Sequence, residues 1–187
     1  MRKLFKIIFA VFVILMAAFI AAAAVITYDV AGAFATDTHT LPNGAPIGQA
    51  IVVYDPGLSG GAKDAATKVG YSLQAAGYNV TLAGVKSGTA ADIVSYDIVV
   101  VGGPIYAGKP AKSIQDYLSS LSTTENQKVC VFGYGDVAID NSDTAAVTKD
   151  VAALPDGNTT QLDAVVKVVS GSDVDAVIQD FVTRLLA

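Results

Sequence analysis

Ser95-Tyr96-Asp97-Ile98-Val99-Val100-Val101-Gly102-Gly103-Pro104-Ile105-Tyr106-Ala107-Gly108-Lys109 decides how the chain folds. Ile98 to Val101 is a continuous β-branched run with no polar alternation. A strand with one wet face would alternate, so this one is covered on both faces, as in a parallel sheet flanked by helices. The run then breaks into two glycines, a proline and one aromatic, Tyr106, ahead of Ala107 and Gly108. Residues of that kind make a shaped turn, and here the turn displays a ring at the end of a buried strand.

The same pattern extends in both directions. Upstream, Ala50 to Tyr54 is a near-continuous apolar strand, and the helix from about Ala62 to Ala76 places Ala65, Ala66, Val69 and Leu73 on one stripe before Gly77 stops it. Tyr78 to Leu82 predicts a second strand and Thr89 to Val94 a weak helix. Downstream, Ile114, Tyr117, Leu118 and Leu121 mark an amphipathic helix, and Val129 to Phe132 the fourth strand. Asp143 to Leu154 reads as a helix capped near Asn141-Ser142, and Leu162 to Val169 as the fifth strand. In the last helix Val174, Val177, Ile178, Phe181, Val182 and Leu185 recur at helical spacing, with Ser172 or Asp173 as its cap. Strands alternating with crossover helices, and no internal repeat, predict an α/β fold: a doubly wound, five-stranded parallel sheet over residues 50–187. Ligands bind such sheets outside the C-terminal strand ends, so the loops after strands one, three and four are where chemistry is expected.

The first of these loops, Asp55-Pro56-Gly57-Leu58-Ser59-Gly60-Gly61, lies between a strand and a helix N-terminus, a geometry suited to phosphate; any tight turn from strand to helix uses glycine as well. The second offers Pro104, Ile105, Tyr106, Ala107 and Gly108, with Tyr106 placed either to stack on a planar ring or to cover the floor of its own loop. The third, Gly133-Tyr134-Gly135-Asp136, repeats the pattern of an aromatic between glycines.

The opening stretch, together with Val129-Cys130-Val131-Phe132-Gly133-Tyr134-Gly135-Asp136, resembles the flavodoxin family from Ile51 to the end, and particularly its short-chain branch and the flavodoxin-like domain of menaquinone-dependent protoporphyrinogen oxidases. The resemblance implies FMN, with its phosphate in the first loop and its ring between the other two. By position, Tyr106 flanks the flavin, Pro104, Ile105 and Gly108 shape that loop, and Gly133, Tyr134 and Gly135 contact the ring. The first loop departs from the family pattern, which carries a run of Ser and Thr around Thr-Gly-Asn-Thr; here only Ser59 supplies a hydroxyl. Three functions follow: an FMN electron carrier, a flavin-dependent oxidoreductase linked to quinone, and a flavin-free binding module on the same fold. Its partners would be a redox protein or the quinone pool.

Ile7 to Ile26 holds no charged or strongly polar residue, and at 1.5 Å per residue its length matches a bilayer core of about 30 Å. Residues 1–27 are expected to be a membrane anchor or uncleaved signal, with Ala33-Phe34-Ala35 as a small-x-small pattern, and residues 28–49 a linker. Arg2, Lys3 and Lys6 precede the apolar run and no Lys or Arg follows until Lys63, which places the N-terminus in the cytoplasm and the domain outside it. The sequons Asn79-Val80-Thr81 and Asn158-Thr159-Thr160 are compatible with that side. With 12 Lys and Arg against 17 Asp and Glu the net charge is -5, and no basic face is available for nucleic acid. One cysteine and one histidine, Cys130 and His39, exclude an intramolecular disulfide and give no support to a zinc site or a histidine triad.

Overall fold

The computed structural model of the protein describes residues 2–30, 35–154 and 160–187. Ala33 and Phe34 of the small-x-small pattern, and Asn158 and Thr159 of the second sequon, lie outside the described residues. Helix α1 runs Arg2–Val30, and its segment Phe5–Tyr28 is long and apolar enough to cross a membrane, with none of it buried against the rest of the chain.

Five parallel strands form the sheet, as the alternating pattern requires: β2 (Gly48–Tyr54), β3 (Tyr78–Gly84), β4 (Ile98–Tyr106), β6 (Lys128–Gly135) and β7 (Ala164–Val169). Two further strands join them. β1 (Thr38–Leu41) pairs antiparallel with β3, and the two-residue β5 (Lys109–Pro110) folds back on the end of β4. The order across the sheet is β1-β3-β2-β4-β6-β7, so the order of winding reverses between the parallel strands β2 and β4. That reversal is the switch point at which a crevice opens.

Side chains alternate between two cores because strand residues point to opposite faces. Val52, Val80, Val100, Phe132 and Val166 pack with α2 (Gly61–Ala75) and α5 (Val174–Leu186). Ile51, Val53, Val99, Val101 and Val131 pack on the other face with α3 (Lys112–Ser120) and α4 (Thr144–Val151). Both faces being covered explains the unbroken apolar runs. Cys130 is fully buried on the first face, and burial pushes its thiol up to about 12.

Several boundaries differ from the sequence-based expectation. β4 and β6 run past their apolar stretches, since Gly102-Gly103-Pro104 stays in register with Phe132-Gly133-Tyr134. Gly102 is required there: a Cβ would sit 2.0 Å from the Phe132 ring. The weak helix shrinks to a 3-10 turn at Thr89–Ala91. Helix α4 is capped by Asp143, whose carboxylate accepts from the Ala146 N–H at 3.0 Å, rather than by Asn141 or Ser142. Asp173 caps α5 in the same way, at 3.1 Å to Ala176 N. The stretch read as linker contains β1, an edge strand that buries only Leu41 among its four side chains. Backbone pairing holds it, together with the bonds from Gly84 N–H to the Asp37 carbonyl at 2.7 Å and from Lys86 N–H to the Ala35 carbonyl at 2.8 Å.

Candidate functional site

The loops after β2, β4 and β6 meet at the C-terminal edge of the sheet. In the first, Gly57 and Gly60 adopt φ of 65° and 74°, left-handed values that let the chain turn sharply into α2. Pro104 lies against Gly57, with its ring atoms 3.0 Å from where a Cβ would be. The Tyr106 hydroxyl accepts from the Leu58 N–H at 3.3 Å, so the second loop closes over the first. Tyr134 reaches the same helix from below: a Cβ on Gly61 would fall 2.3 Å from its ring.

Most amides of the first loop are bonded within the protein. Gly57 N–H donates to the Asp55 carboxylate at 3.1 Å, Gly60 N–H to the Gly57 carbonyl at 3.2 Å, and Gly61 N–H to the Ser59 hydroxyl at 3.3 Å. Asp55, only 1% exposed, also accepts from the Ser113 hydroxyl at the start of α3, which ties the loop to the opposite layer. Helix α2 has Gly60 at its N-cap, which offers no side-chain bond, so the Ser59 hydroxyl on the Gly61 N–H is the side-chain acceptor at this helix end. A phosphate would find that helix end, one hydroxyl, and a partly positive dipole. The donor set is smaller than a Ser- and Thr-rich loop provides, but of the right kind. Gly60 and Gly108 have open space where side chains would be.

Of the residues expected from sequence, Pro56, Gly57, Leu58, Ser59, Gly60 and Gly61 gather around this helix end, and Pro104 and Tyr106 lean onto it, while Ile105 packs against Gly133 and Gly135 of β6. Ala107 and Gly108 form the exposed tip of the β4–β5 hairpin, where Ala107 takes φ of 50°. The third loop is placed differently. Gly133, Tyr134 and Gly135 lie within β6, the first two paired with both β4 and β7 and Gly135 with β7, so their backbone belongs to the ladder. Only Asp136, exposed, begins the loop proper. Beneath it, Lys167 is 3% exposed and ion-paired to Asp150, while Asn141 clamps the Lys167 backbone with two bonds of 2.9 and 3.0 Å.

Asp37 is a site neighbour that sequence reasoning missed. Its carboxylate accepts from the Tyr54 hydroxyl and from the Lys63 ammonium, each at 2.7 Å, joining the segment before β1 to the end of β2 and the first turn of α2. Burial would raise this carboxyl, but the bonds from Lys63 and Tyr54 and the charge of Lys63 outweigh it and hold it below its ordinary value. Burial, and then Asp37 itself, push the Tyr54 phenol well above the usual tyrosine range. No motif announces such a residue, because Asp37 meets its partners only through the pairing of β1.

No protein-family model matches the chain, and no curated protein matches it. Solved structures do. A short-chain flavodoxin associated with a non-canonical PDU bacterial microcompartment is 22% identical at a TM-score of 0.52, covering 75% of this chain and 97% of its own. A flavodoxin of Streptococcus pneumoniae TIGR4 is 20% identical at 0.51, covering 74% and 97%, and a flavodoxin from the domain Archaea 13% identical at 0.50, covering 74% and 99%. The switch point between β2 and β4, the loops gathered above it and these likenesses agree: the globular part of this chain has the flavodoxin fold.

Proposed function

We propose that the domain binds FMN at the C-terminal edge of its sheet and carries electrons, held at a membrane by α1. The observation that carries the reading is the meeting of a turn from strand to helix, glycine at the helix N-cap, with an aromatic hairpin at the switch point. FMN, when bound, takes up and releases electrons. The phosphate would be held by Ser59 and the first-turn amides of α2, with Pro56 to Gly61 as the cradle. Pro104 to Gly108 would bound the ring on one side, with Tyr106 against it, and the loop that begins at Asp136 would bound the other, while Gly133, Tyr134 and Gly135 support it from within β6. Asp55 and Ser113 fix the cradle without facing the ligand. No side chain of the site is needed as a general acid or base, and the protein's part is binding and electrostatics.

The flanking charges support a domain outside the cytoplasm, since Arg2, Lys3 and Lys6 all precede the apolar helix. In that location its redox partner is a protein or the quinone pool of the same membrane. The test is a titration of the full chain, purified in mild detergent, with FMN. Saturable quenching of flavin fluorescence and retention of the yellow chromophore through gel filtration are expected. A chain that neither quenches nor retains FMN is a flavin-free module on this fold.

A further inference from the structure

We infer that the edge of the sheet carrying the three loops faces the lipid surface, so that the site opens toward the membrane rather than away from it. The inference rests on the reading of α1 as a membrane anchor. The chain enters the domain at this edge: Ala35 is buried, and its carbonyl bonds Lys86 just beyond the C-terminal end of β3. Asp37, two residues on, touches the end of β2 and the first turn of α2. From there β1 runs away from the site, from Thr38 opposite Ala83 to Leu41 opposite Val80.

Chain length then limits the orientation. The apolar run from Ile7 to Ile26 fills the hydrocarbon core, and the last turn of α1, to Val30, adds about 6 Å, roughly the depth of one headgroup layer. Val30 therefore lies at the membrane surface. Ala35 is five peptide steps further, a reach of at most about 18 Å. If the opposite edge faced the lipid, Ala35 would stand the full length of β2 above it, about 20 Å, with the turn from Pro42 to Ile47 below that. The tether is too short for that pose.

Held this way, the tips of the first and third loops meet the headgroups with Leu58 and Val137, which are 54% and 73% exposed. Lys86 and Lys109 are exposed on the same edge as Asp136 and Asp140, so net charge does not choose the pose; tether length does. The opposite edge exposes comparable residues, Ile47 and Val94, which serve as controls. The partner this geometry fits is one that resides in the bilayer.

The test uses the full chain in phosphatidylcholine vesicles doped with a headgroup-nitroxide lipid. Cys130 is buried, so variants with one added cysteine, L58C, V137C, I47C and V94C, are labelled selectively at the new position with a fluorescent maleimide. Quenching several-fold stronger at positions 58 and 137 than at 47 and 94 is expected, and a long Gly-Ser insertion after Val30 should erase the difference. Equal or reversed quenching in vesicle-bound protein overturns the orientation and leaves FMN binding standing. Protein that fails to float with vesicles overturns the anchor, and the orientation with it.

Discussion

Replacing Asp150 with alanine is expected to cost about 3 kcal/mol, because it strands an ammonium beneath the third loop. Lys167 projects from β7 toward α4, and its side chain is 4% exposed against 19% for Asp150. Removing one partner of a buried pair costs about 3–5 kcal/mol, since the remaining charge keeps its desolvation penalty. Water reaches Asp150, so the lower end applies here. In a domain of this size about 3 kcal/mol lowers Tm by about 6–12 °C. The control is Lys112–Asp116, whose side chains are 70% and 53% exposed, and where Asp116→Ala should change stability by less than about 1 kcal/mol. A third variant separates charge from packing: Lys167→Met with Asp150→Leu removes both charges at similar volume and should be neutral or stabilising. The assay is thermal and guanidinium unfolding of the full chain in detergent, followed by the near-ultraviolet circular dichroism of its tyrosines. Asp150→Ala no worse than Asp116→Ala, or a double variant as weak as the single, would refute the reasoning.

Two other outcomes follow from the site. In Tyr106→Phe the Leu58 amide loses its protein acceptor and becomes available to an anion, so FMN is expected to bind about 2- to 12-fold tighter, the equivalent of one net hydrogen bond of about 0.5–1.5 kcal/mol; weaker binding would show that the hydroxyl serves the ligand instead. The Asp37 carboxyl is depressed in the folded state, so its contribution to stability is present above its ordinary value of 3.8 and is lost as pH falls through the lower, folded value. The gap in melting temperature between the wild type and Asp37→Asn should accordingly hold steady from neutral pH to about that point and close below it; a gap that widens on acidification would contradict the assignment.

How much of this was legible in the sequence depended on whether a residue's partners are local. The five parallel strands announced themselves because each is buried on two faces, and α2 and α5 because a 3.6-residue stripe repeats within each helix. Strand ends were harder: β4 and β6 continue through Gly102-Gly103-Pro104 and Gly133-Tyr134-Gly135, residues that sequence reasoning assigns to turns, because the two strands support each other as far as Tyr134 and β7 holds Gly135. The cofactor loops could be located from strand order alone, since a switch point is a property of connectivity.

By itself the sequence determined the class of fold, the edge on which a site would lie and an apolar helix of membrane-spanning length, all consequences of short-range pattern. Tertiary structure alone decided that Thr38–Leu41 is an edge strand, since one buried side chain in four leaves no period to read. It also decided that Asp37 joins Tyr54 and Lys63, that the Tyr106 hydroxyl takes a loop amide, and that Tyr134 supports the helix end from within the sheet. Those contacts join residues 17 to 73 positions apart. The physical reason is that a hydrogen bond between distant segments or a ring filling the place of a missing Cβ is set by where two strands finish, and no window of sequence contains both.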